Sequence, residues 1–159
     1  MSPKVNPFLL GYSERLEAWK ALRQDLQTAP LLDHKLDLTT EFWRQAPMEK
    51  RTLDWDNSNS WPTPWEQLRD NSFCPSSHSL AMAATLVLSC PELKDHLRLK
   101  LITDRQACVQ KIVLKADPWI INHGFFDKQP VQQLQHVETQ DVWTWTGKQW
   151  QSLRPRFKL

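Results

Sequence analysis

The apolar positions of the chain change period near its middle. Leu16, Trp19, Leu22 and Leu26 recur at helical spacing, with Glu14, Arg15, Glu17, Lys20, Arg23 and Asp25 on the other side. That pattern predicts an amphipathic packing helix over 14–27, capped by Ser13. Leu80, Ala83, Ala84, Val87 and Leu88 repeat the spacing over 75–89, in a helix opened by Pro75 and ended by Pro91. Between these two, Thr39 or Thr40 is placed to cap a short helix, Glu41 to Ala46, stopped by Pro47. Thr63-Pro64-Trp65-Glu66 opens another helix, to about Arg69. Thr63 can accept from the third helical N–H, Glu66 can reach back to the Thr63 N–H, and Pro64 lacks an N–H that had no partner.

From Leu97 onward the period is two. Leu97-Arg98-Leu99-Lys100-Leu101 alternates strictly, the mark of a half-buried strand. Cys108 to Lys115, Trp119 to Asn122, Val131 to Val137 and Val142 to Trp145 read as further strands. Ala116-Asp117-Pro118 and Thr146-Gly147-Lys148 are turns, the second leading to a short strand through Trp150. N-terminal helices followed by an antiparallel β meander make this an α+β chain.

A length of 159 residues suits one domain. Residues 1–12 are expected to form a docking arm held by Phe8, Leu9 and Leu10. Residues 13–95 are mainly helical, 96–152 form the antiparallel strands, and 153–159 are a basic tail. Nine tryptophans point either to a well-filled core and rim, the reading expected for most of them, or to a partner surface, for which Trp55, Trp61, Trp65, Trp143, Trp145 and Trp150 are the candidate interaction residues. Aromatics alternating over 143–150 either present a flat apolar face to a partner or line the inner side of the last strands. The formal charge is only +2, but no acid follows Asp141. Arg154, Arg156 and Lys158 can therefore meet phosphates, which keeps a nucleic-acid partner in play.

Cys74, Cys90 and Cys108 are too few and scattered for a disulfide framework, and no spacing suggests zinc. Asp54, Asp56, Asn57, Ser58 and Asn59 open like a calcium loop but lack its glycine and closing glutamate, so Asx turns are expected there. No metal and no cofactor is expected. Without a leader-like segment, or an apolar run near the ~18 residues that span a bilayer, a membrane partner is not expected either.

Cys74 precedes Pro75 and so stands at a helix N-terminus, where partial positive charge favours thiolate over thiol. A nucleophilic cysteine also needs a base. His78 lies one turn on and projects away from the helix end, while His34, His96, His123 and His136 are distant in sequence.

Cys74 with Ser79-Leu80-Ala81, then Val109-Gln110-Lys111-Ile112-Val113-Leu114, then Trp119-Ile120-Ile121-Asn122, resemble in order the transglutaminase-like, papain-related cysteine peptidases. The resemblance covers roughly 60–150. It implies a nucleophile at Cys74, a histidine on the strand from Val109, and an acid where Asn122 stands. Gln110 is the best placed substitute for that histidine, and it cannot take a proton from a thiol at neutral pH. General-base assistance is worth roughly 10²–10⁴-fold, so Cys74, Gln110 and Asn122 are expected to be a vestigial site, with His123 as an alternative base. A second resemblance lies in Asn6-Pro7-Phe8-Leu9, Leu53-Asp54-Trp55-Asp56-Asn57 and Trp61-Pro62-Thr63-Pro64-Trp65-Glu66. These look like small proteins of contractile-tailed phages that infect cyanobacteria.

That second resemblance implies a viral protein in the host bacterial cytoplasm, incorporated in the virion if it is a particle component. The expectation is a non-enzymatic protein acting through other chains of a phage particle or a host protein. The alternatives are a cysteine-dependent peptidase or acyl-transferase, and a nucleic-acid-binding accessory protein.

Overall fold

The computed structural model describes residues 5–122, 128–134 and 137–154. Its helices are α1 (Tyr12–Thr28), α2 (Leu32–Trp43), α3 (Pro64–Asp70) and α4 (Pro75–Ser89). The strands that follow are β1 (Leu97–Asp104), β2 (Val109–Ala116), β3 (Trp119–Ile121), β4 (Gln129–Pro130), β5 (Val137–Trp145) and β6 (Trp150–Ser152). They form one antiparallel sheet in the order β4-β3-β2-β1-β5-β6. The β5–β6 hairpin thus joins the edge opposite β4, beside β1. No helix among the described residues is long and apolar enough to cross a membrane.

The α4 helix is the centre of the molecule. It is buried nearly all round, with Leu80, Ala81, Met82, Ala83 and Leu86 in the main core, so its apolar residues serve more than the single stripe expected from the sequence. Small alanines let α1, α2 and β2 approach it from different sides. Leu97, Leu99 and Leu101 of β1 and Ile112, Leu114 and Ala116 of β2 point to the helices. Ile102, Val113 and Ile120 belong to a second, smaller cluster on the other face of the sheet, as period-two strands require.

The start of α3 follows its sequence signals. Glu66 N–H donates to Thr63 Oγ1 at 3.2 Å, and Thr63 N–H donates to Glu66 Oε1 at 3.0 Å. Thr63→Ala is expected to cost about 1 kcal/mol in urea unfolding, the usual worth of such a cap, with the unfolding slope unchanged.

Four expectations need correction. Ser13 does not cap α1: the N-cap is Gly11, and Ser13 lies inside the first turn. Thr39 and Thr40 do not cap a helix; both are buried inside α2. Their hydroxyls donate back to the Lys35 and Asp37 carbonyls, at 2.8 and 3.0 Å, which satisfies them without ending the helix. Of the strand expected over Val131 to Val137, Val131–Leu134 is a 3₁₀ turn, because Pro130 has no N–H to continue the ladder, Val137 begins β5, and 135–136 lie outside the described residues. Of the arm, Leu9 and Leu10 are exposed; it is held by the Phe8 ring, packed against Phe42, Trp43 and Phe73, and by hydrogen bonds from Asn71 Nδ2 to the Phe8 carbonyl at 3.0 Å and from Asn6 Nδ2 to the Gln45 carbonyl at 3.3 Å.

Candidate active site

Cys74 is the N-cap of α4 and is buried. Ser77 N–H donates to its sulfur at 3.3 Å, while Cys74 N–H donates to Ser77 Oγ at 2.8 Å. This is a capping box with a thiol in the place usually held by a hydroxyl. The sulfur therefore sits on the positive end of the helix, held by a backbone donor.

The first turn of α4 is fastened to the sheet. Ser76 Oγ accepts from Ile112 N–H at 3.0 Å, and Ser79 Oγ donates to the Ile112 carbonyl at 2.8 Å. Asn122, in a left-handed backbone conformation at φ 70°, donates its amide to Ser79 Oγ at 2.7 Å and to the Pro75 carbonyl. The structure thus brings Asn122 to the nucleophile's helix, as the order of elements implied, but its amide N–H groups are taken by that helix. Ser76, Ser77 and Ser79 were missed in the sequence. A run of serines just inside an apolar helix was the available signal, since each needs a partner when buried.

Gln110 lies on β2 two residues before Ile112 and is exposed; its Nε2 donates to Gln140 Oε1 at 2.5 Å. No imidazole of the described residues hydrogen-bonds the Cys74 sulfur. His78 points into the core, its Nε2 2.6 Å from the Trp43 carbonyl, and burial pushes its pKa down to about 4. His34 and His96 are exposed. His123, Arg156 and Lys158 lie outside the described residues.

Two clefts flank this region. A mainly apolar groove of about 470 Å³ runs along Leu80, Ala84 and Leu88 of α4, walled by Trp61, Trp65, Trp145 and Trp150. A smaller polar cleft of about 380 Å³ lies over β1 and β5, with Trp55, Asp56, Gln110 and Asp141 in its lining. The sequence-chosen tryptophans are therefore split. Trp143 is fully buried and stacks edge-on against Trp61 at 5.0 Å, and Trp150 is buried beside Trp145. Of the two alternatives for 143–150, the rings of Trp143, Trp145 and Trp150 take the inner one, because they share the helix-facing side of the last hairpin. Trp65, 45% exposed, is the most accessible of the six candidates.

Arg154 of the basic tail is exposed beside the polar cleft. Further cations stand on the sheet itself, Arg98 facing Lys115 across the β1–β2 pair. Burial, and then the neighbouring Lys115 charge, lower the pKa of Lys100; burial lowers that of Lys111.

No family model and no curated protein matches the chain. Solved structures do. Legionella pneumophila LapG is similar at a TM-score of 0.70 and 18% identity, over 87% of this chain and 78% of that one. Its calcium-bound form gives 0.68 and 17% over 93% and 81%, and its EGTA-treated form 0.68 and 16% over 86% and 78%. LapG is a calcium-dependent transglutaminase-like cysteine protease. This finding overturns the expectation of a non-enzymatic phage particle component: the frame is the one LapG has, and these likenesses hold nothing viral. The chain has the transglutaminase-like α+β fold, with four helices preceding a six-stranded antiparallel sheet among the described residues.

Proposed function

We propose that the chain is a cysteine-dependent peptidase or acyl-transferase of transglutaminase-like type, with Cys74 as nucleophile. The observation that carries this is the Cys74 sulfur at the N-cap of α4, receiving the Ser77 N–H, in a fold shared with LapG. The helix end and that N–H favour a negative sulfur, and the Ser76, Ser79 and Asn122 bonds fix the helix start against β2 and β3.

In the reaction, the thiol loses its proton to a base and the sulfur adds to a peptide carbonyl. That addition forms the C–S bond; collapse re-forms the carbonyl, breaks the C–N bond, and releases the amine carrying that proton, leaving a thioester. Water or a second amine then takes the acyl group and restores the thiol. Gln110 cannot be that base, so the reaction requires an imidazole from the chain's five histidines.

The test uses the full chain with Cys90 and Cys108 changed to serine, so that Cys74 is the one thiol left. A peptidyl vinyl sulfone, which captures thiolates, is expected to label Cys74 faster than it labels free cysteine. Changing each histidine in turn to alanine is expected to reveal one variant slowed by roughly 10²–10⁴-fold. Labelling no faster than free cysteine and indifferent to every histidine would remove the peptidase assignment.

A further inference from the structure

We propose that the apolar groove along α4 is a docking site for a proline-rich segment of a partner protein, held as a polyproline-II helix with an acidic residue at one end. This goes beyond the peptidase reading and stands whether or not Cys74 is a nucleophile. The groove gathers apolar surface that the fold leaves uncovered. Trp65 of α3 and Leu88 of α4, 45% and 37% exposed, both line it. Large apolar side chains left open together, with indoles among them, are the composition of a partner site.

Trp145 and Trp150 are the informative residues. Both line the groove, and their indole N–H groups donate to no acceptor among the described residues, yet neither is sealed from solvent. Trp150 is only 7% exposed, so its ring is held by burial while its donor stays open. The Trp61 N–H, by contrast, is already taken by the Asp54 carbonyl at 2.8 Å. An indole can only donate, so the occupant must bring acceptors. Lys148, in the turn between β5 and β6, is the one charged residue among those described in the lining, and it forms no ion pair among the described residues. An apolar occupant with carbonyl acceptors and a negative end is what these groups complement.

Shape selects the backbone. Leu80, Ala84 and Leu88 follow one side of α4 over roughly 12 Å of helix. Spread along that length, about 470 Å³ gives a cross-section of roughly 40 Å². A helix with its side chains, ~10–12 Å across, is too wide for that, whereas a single extended chain fits. Strand addition at the adjoining edge is blocked at Trp150, whose carbonyl accepts from Ser58 Oγ at 3.0 Å, with the 3₁₀ turn Ser58–Ser60 packed against β6. Polyproline II needs no ladder. It makes no internal hydrogen bonds, so its carbonyls are free for indole N–H groups, and its rings pack on aromatic walls. About four residues of it, at ~3.1 Å each, span the groove.

The experiment follows the indole N–H resonances of the full chain by NMR, assigned through single Trp→Phe variants, as a peptide of six prolines ending in glutamate is added. Saturable shifts are expected at Trp65, Trp145 and Trp150. Trp19 and Trp43, whose N–H groups are held by Thr85 in the core, should stay in place. A peptide with six alanines in place of the prolines is expected to bind at least roughly tenfold more weakly, because it must be ordered on binding. Ending the proline peptide in lysine is expected to weaken it roughly threefold, and Lys148→Glu to reverse that preference. Trp65→Ala is expected to weaken binding at least roughly tenfold. Melting curves confirm folding, and Leu88→Lys, at an exposed position, serves if Trp65→Ala does not fold. The proposal is overturned by no saturable shift, by alanine binding as well as proline, by indifference to the terminal charge, or by shifts confined to indoles outside the groove. Affinity kept in both Trp65→Ala and Leu88→Lys, or cellohexaose moving the groove indoles when the proline peptide does not, overturns it too.

Discussion

Thr85→Val is expected to lower the unfolding free energy by about 2–6 kcal/mol, because it removes one oxygen that serves two buried indoles. Trp19 Nε1 and Trp43 Nε1 each donate to Thr85 Oγ1 at 3.1 Å, and that hydroxyl donates onward to the Ala81 carbonyl at 2.7 Å. Trp19, Trp43 and Thr85 are 2%, 0% and 0% exposed, so water cannot replace the lost acceptor. Valine fills the same space but strands two N–H donors, each costing about 1–3 kcal/mol when left unpaired in a core. Against a typical total of about 5–15 kcal/mol, that is a large share. Thr85→Ser keeps the oxygen and loses one methyl, so it is expected to cost only about 1 kcal/mol. Urea unfolding of both variants decides the matter. Should valine prove no worse than serine, packing alone holds α1, α2 and α4 together. A cycle with Trp43→Phe sharpens it, since removing one donor in advance should reduce the cost of the valine.

That node explains why the helical half was only partly legible in the sequence. The boundaries of α4 and the start of α3 were readable because Pro75, Pro91, Thr63, Pro64 and Glu66 act locally, on backbone groups within a turn. Helix α2 was not, because Thr39 and Thr40 look like caps until the surrounding contacts show their hydroxyls turned back onto the helix. Strand β1 announced itself by alternation, whereas the pairing of β5 with β1 is a choice between distant segments that no local pattern encodes.

The site divides in the same way. Cys74 at the head of a helix was visible from Pro75 alone. The groups that fasten the start of its helix are the Ile112 backbone on β2 and the Asn122 amide after β3, and only the folded chain shows that Asn122 engages Ser79 and Pro75. Asp56 and Asp141 share a cleft although they stand at opposite ends of the helix-to-strand transition in the sequence. Asp56 was read as part of an Asx-turn cluster, which the Asp56 N–H to Asp54 Oδ1 bond of 3.0 Å bears out. Nothing in that local role hints at Asp141.

Acidification is expected to destabilise the protein through His78, by about 3 kcal/mol between neutral pH and pH 4. The imidazole is buried beside Phe73, with ring centroids 6.5 Å apart, and its Nε2 meets the Trp43 carbonyl. Burial disfavours the imidazolium and brings the pKa from 6.5 down to about 4, against the weaker opposing effect of the Trp43 bond. The unfolded chain therefore takes up a proton near pH 6.5, while the folded chain resists until about pH 4. Over that window the unfolded state holds more protons, so stability falls as pH falls, and the loss is complete below the folded pKa. Ordinary carboxylates begin to take up protons at about pH 4, so wild type alone is not diagnostic. The comparison that isolates His78 is His78→Gln, an uncharged side chain that can still donate to a carbonyl. Urea midpoints at pH 7, 5.5 and 4 should fall markedly less in the variant than in the wild type. Parallel decline in the two proteins would mean that the imidazole is already protonated in the fold or contributes nothing to acid sensitivity. The same result bears on the chemistry at Cys74. An imidazole kept neutral and turned into the core, one helical turn beyond the thiol, is spent on holding α4 to α2 and is not the base the thiol needs.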